Sequence, residues 1–119
     1  MDAMFMVKVA TCLFILAALG GLVMAGIRFG SGRNPPVFIP YAHGLLAGAG
    51  LTLLIYAAWV GGLGGMVVIS IVLLLIAAAG GSALNLLYHW KQVPIPKGLT
   101  IAHILLALSG VGLLLPIAF

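Results

Sequence analysis

The chain has 119 residues, 65% of them hydrophobic and only 5% charged, with five Lys or Arg against a single acidic residue. So few polar groups cannot clothe a domain of this size in water-compatible surface, so a soluble protein is excluded and an integral membrane protein is expected. The formal charge of +4 has no interleaved polar surface around it, which excludes a nucleic-acid interface and makes the cations topology signals.

In chain order, a charged start ending at Lys8 leads into an apolar run from Val9 to Ile27, which is 19 residues long. At 1.5 Å per residue this crosses a hydrocarbon core of about 30 Å. It also resembles a secretory signal peptide. Its internal counterpart later in the chain argues for a retained span instead. Arg28 to Pro40 is a connection rich in Gly, Ser, Asn and Pro, and Pro40 sits where a helix can begin without losing a needed amide donor. A second span is expected from about Tyr41 to Val60. The glycine-rich turn Gly61 to Gly65 follows, then a third span from Met66 to Tyr88 ending in His89, Trp90 and Lys91. After the connection Val93 to Gly98, a fourth span fills the chain to Phe119. The expected fold is therefore an all-α, up-down-up-down transmembrane bundle of four helices in one domain, residues 1–119.

A repeat divides the bundle into halves, about 5–60 and 65–119. Sliding residues 17–58 onto 77–118 gives 14 identities in 42 ungapped pairs. Among them are Gly20-Gly21 over Gly80-Gly81, Pro36 over Pro96 and His43 over His103. Each unit crosses twice, so both copies share one orientation and the symmetry axis runs along the membrane normal. His43 and His103 are thereby expected at equal depth on either side of that axis.

Both histidines stand in the same local pattern, A-H-x-L-L-A-x-x-G, at 42–50 and again at 102–110. On a helix, positions i, i+4 and i+7 share a face, so each imidazole stands beside small residues: Ala47 and Gly50 in one copy, Ala107 and Gly110 in the other. A single histidine near a membrane surface most often hydrogen-bonds a loop or a headgroup. Two at symmetry-related positions point instead to a flat ligand whose metal they share, a haem iron bound through His43 and His103 with the four small residues facing the macrocycle. No C-x-x-C-H occurs, so haem b held without covalent attachment is expected. Its propionates would meet Arg28, Arg33, Lys91 and Lys97. His89 is a candidate ligand for a second haem, against the simpler reading of an interfacial anchor beside Tyr88 and Trp90.

The excess of Arg and Lys at the histidine-bearing ends places those ends in the cytoplasm and both termini outside. Gly44 and Gly48 form a G-x-x-x-G stripe, replaced by Ile104 and Leu108 in the second copy, and point to a homo-oligomer. No Asp or Glu follows Asp2, which argues against proton pumps, ion channels and secondary transporters. Carboxylate, Ser-His-Asp and Cys-His catalytic sets are missing as well.

Four helices, paired histidines on alternate helices and cations at the histidine end resemble the small membrane-bound b-type cytochromes of bacteria, which include four-helix haem proteins that oxidise quinol. The first span lacks the histidine of the familiar two-haem members. The resemblance therefore implies electron exchange between the quinone pool and one haem near one face of the bacterial inner membrane, with quinol as substrate and a quinol dehydrogenase as the enzyme class. The alternative expectation is a haem-free structural or assembly subunit of a larger membrane complex.

Overall fold

A computed structural model describes residues 1–119 as four long helices with no strand. Helix α1 spans Ala3–Ser31, α2 Phe38–Gly61, α3 Met66–Leu84 and α4 Lys97–Ala118, and a π-helical turn, Asn85–His89, prolongs α3. All four are long and apolar enough to cross a membrane.

Local chemistry sets the ends. The Asp2 carboxylate accepts the Phe5 amide at 2.8 Å and caps α1, supplying a partner to one of the first turn's orphan N–H groups. Gly32 and Gly62 close α1 and α2 at φ 73° and 59°, a left-handed conformation that a side chain would strain. Pro40 lies in the first turn of α2, where its missing N–H costs no helical bond.

The bundle measures 43 × 22 × 22 Å. Around its axis the order is α1, α2, α3, α4, with α1 packed closely on α2 and α3 on α4, and the α2–α3 contact the least extensive of the four. Only 21 of 119 residues are buried. The outward faces are instead leucine, valine and isoleucine, the surface that a lipid environment satisfies. Aromatic pairs mark two levels along the bundle: Tyr41 with Trp90 at one end and Tyr56 with Trp59 at the other. From Tyr41 to Trp59 the α2 axis rises about 27 Å at 1.5 Å per residue, close to the thickness of a hydrocarbon core.

The core follows the 60-residue repeat. Val7 and Val67, Ala10 and Ser70, Phe14 and Leu74, Ala17 and Ala77, and Leu54 and Leu114 are all buried. Since lipid tails are as apolar as leucine, helices here associate by fit rather than by hydrophobic expulsion. Ser70 adds a hydrogen bond across the second hairpin, donating to the Gly110 carbonyl at 2.7 Å.

Candidate functional site

His43 and His103 do come together. Their ring centroids lie 6.2 Å apart with the planes at 72°, and both rings are half-buried between the helices. Each ring is anchored in the same way. The Nδ1 of His43 lies 2.7 Å from the Ala17 carbonyl and that of His103 2.8 Å from the Ala77 carbonyl. A carbonyl only accepts, so each Nδ1 carries a proton and Nε2 is the ring nitrogen left without a backbone partner.

Glycines on the neighbouring helices seat these rings. A Cβ built on Gly21 would stand 3.1 Å from Cε1 of His43, and one on Gly81 would stand 2.9 Å from Cε1 of His103. A side chain at Gly81 would force the His103 ring to shift, and one at Gly21 would crowd that of His43. The repeated Gly-Gly was visible in the sequence, but its pairing with the histidine of the next helix was not. It was the missed part of the site.

Toward the loop end, the histidines wall a cavity of about 220 Å³. Much of its lining comes in pairs related by the repeat: Gly21 and Gly81, Leu22 and Ser82, Ala25 and Asn85, and Pro40 and Thr100. The cavity thus straddles the axis between the two halves. Of the two alanines expected to face the macrocycle, Ala107 lies on its wall and Ala47 does not. Gly50 and Gly110 correct the expectation. A Cβ on Gly50 would meet the Phe14 ring at 3.0 Å, and one on Gly110 would meet Leu74 Cγ at 2.7 Å. These two glycines let helices approach in the core. They share the histidine's helix face, but seven residues carry them about 10 Å deeper, to a level that Phe14 and Leu74 already fill.

Of the expected propionate contacts, only Arg28 lines the cavity. Its Nε donates to the Ile95 carbonyl at 2.9 Å and its Nη1 to Gly32 at 3.1 Å. Arg33 belongs to a separate surface depression, Lys91 is exposed, and Lys97 holds its ammonium 5.9 Å from the centroid of the Phe29 ring. Loop residues far apart in sequence decide these positions.

His89 is buried and plays a different part. Its Nε2 donates to the Pro35 carbonyl at 2.7 Å, tying the end of α3 to the first loop. Asn34 strengthens the same seam, donating to Val93 and accepting from the Ile95 amide. The π-turn carries the bond from the Trp90 amide to the Asn85 carbonyl. Such a turn shifts the register of the residues that follow it, and it is common at functional sites.

Fold and site together define a multi-pass α-helical membrane bundle with a pair of symmetry-related histidines at its axis. Neither family models, nor curated proteins, nor solved structures provide a match to the chain.

Proposed function

We propose that the protein is a membrane-bound b-type haem protein that exchanges electrons with the quinone pool, its iron held by His43 and His103. The observation that carries this reading is the pair of imidazoles 6.2 Å apart, each with Nδ1 protonated toward a backbone carbonyl. Two imidazoles this close, each with its second ring nitrogen free of a backbone bond, are the residues that would hold the iron. The carbonyls fix tautomer and ring orientation, as outer partners of metal-bound histidines do.

The ligand count favours haem over a bare ion. His43 and His103 have no third His, Cys, Asp or Glu beside them, and a structural zinc site needs four ligands. A porphyrin brings four nitrogens of its own and asks the protein for two. The cavity beside the two histidines, with Gly21 and Gly81 in its lining, is where the edge of such a ligand would enter. Haem would supply reversible one-electron chemistry. The chain's own residues bind and orient it: His43 and His103 by ligation, Ala17 and Ala77 by positioning the rings, and Arg28 by its charge at the cavity mouth.

A bacterial inner membrane with the cations Arg28, Arg33, Lys91 and Lys97 on the cytoplasmic side completes the reading. The visible spectrum of the detergent-purified protein tests it. Six-coordinate, low-spin haem b is expected. Colourless protein after expression with ample haem would leave the haem-free structural subunit as the better description.

A further inference from the structure

The first and third connections carry repeat-equivalent turns, and both pass through the left-handed region. Gly32 stands there at φ 73°, and its counterpart Gln92 at φ 56°. Glycine adopts such a backbone freely, whereas Gln92 is the one other residue of the chain that does so. A side chain kept where the first repeat uses glycine is strained, and strain of this kind gathers at binding sites. The loops do not need that side chain to close. Asn34 and His89 make the bonds between them, and the Gln92 carboxamide makes none.

Gly32, Gln92, Arg33, Asn34 and Pro94 line a surface depression of about 340 Å³ between the two loops. It is distinct from the histidine cavity. Pro35 and His89, joined at 2.7 Å, belong to both linings and form the partition. Apart from Val37, the depression is lined by glycine, proline and polar residues, which suits a polar ligand. Trp90, two residues before Gln92, pairs with Tyr41 at the level where aromatic side chains meet lipid headgroups.

Arg28, Arg33, Lys91 and Lys97 all lie at this end, while the only acidic residue, Asp2, caps α1 at the other. The protein itself holds two of the four cations. Arg28 donates to the Ile95 and Gly32 carbonyls, and Lys97 lies over the Phe29 ring. The Arg33 and Lys91 side chains are exposed and enter none of the hydrogen bonds that close the loops. Arg33 lines the depression, and Lys91 adjoins Gln92 in the chain.

We propose that this depression binds the phosphate of an anionic phospholipid, with Arg33 and Gln92 as its donors and Lys91 adding charge. A guanidinium presents paired N–H groups that match phosphate oxygens, and a carboxamide both donates to phosphate and accepts from a headgroup hydroxyl. Lipid is the source rather than free phosphate, because the site lies at headgroup depth on an apolar bundle, where anionic headgroups surround it. The site stands whether or not the bundle holds haem.

Native mass spectrometry of the full chain, titrated with phosphatidylglycerol against phosphatidylcholine or inorganic phosphate, tests this. One phosphatidylglycerol per chain is expected, displaced by neither competitor. Arg33→Gln should weaken it by about tenfold, the loss of a charge-assisted bond, with Arg33→Lys falling between. Lys97→Gln removes the same charge from the same end and should change binding little. Gln92→Gly should weaken binding by several-fold while the melting temperature holds or rises, since strain is relieved. Equal losses in Arg33→Gln and Lys97→Gln would reduce the effect to general surface charge and overturn the site. Displacement by inorganic phosphate would overturn the lipid as its occupant. Gln92→Gly that binds normally but melts lower would make Gln92 a loop residue alone and overturn its role as donor.

Discussion

The ring centroids of His43 and His103 lie 6.2 Å apart, and each ring is held there by donating its Nδ1 proton to an alanine carbonyl 26 residues earlier in the chain. The partners, Ala17 and Ala77, are themselves buried repeat equivalents. A histidine side chain thus links each hairpin's two helices.

Ring placement depends on space at the facing glycine. Gly81→Ala puts a methyl 2.9 Å from Cε1 of His103, closer than carbon atoms tolerate, whereas at Gly20 the nearest histidine atom is 4.0 Å away. Gly81→Ala should therefore weaken haem retention by about tenfold and cost about 1–3 kcal/mol through overpacking. Gly20→Ala should be near neutral. Haem titration and thermal melts of the two variants check the contrast.

The cavity wall separates two alanines that the sequence treats alike. Ala107 lines the cavity and Ala47 does not. Ala107→Phe should fill the space and expel haem with both histidines intact, while Ala47→Phe should leave most haem bound. Equal haem loss in both, read from pigment per protein, would show that the macrocycle occupies a different flank.

His89 should matter to the loops rather than to the pigment. His89→Ala removes the donor to the buried Pro35 carbonyl, at a cost of about 1–3 kcal/mol for the orphaned acceptor. Faster hydrogen exchange at residues 32–37 and 91–96 is expected, with an unchanged visible spectrum. Loss of part of the absorbance would make His89 a haem ligand.

The sequence carries the four spans because run length and composition are local signals, and it carries the partnership of His43 with His103 because the repeat relates them. Depth along a helix is less legible. Gly50 and Gly110 share the histidine's face but sit at the level of Phe14 and Leu74, where helix approach fixes their role. Gly21 and Gly81 escape for the opposite reason: only the crossing of two helices shows which residue of one lies beside the imidazole of the other. The loop seam is harder still, since Asn34 finds its partners 59 and 61 residues away. Arg28 was legible as a cation near the site; its separation from Arg33 and Lys91 was not.

The pairing of His43 and His103 on one iron is tested most directly by haem content and spectrum in His43→Ala, His103→Ala and the double variant. Groups that act as one unit are non-additive. The account predicts that each single change removes the six-coordinate spectrum to the same degree and that the double change is little worse than either. Full haem and an unchanged spectrum in both single variants would contradict it.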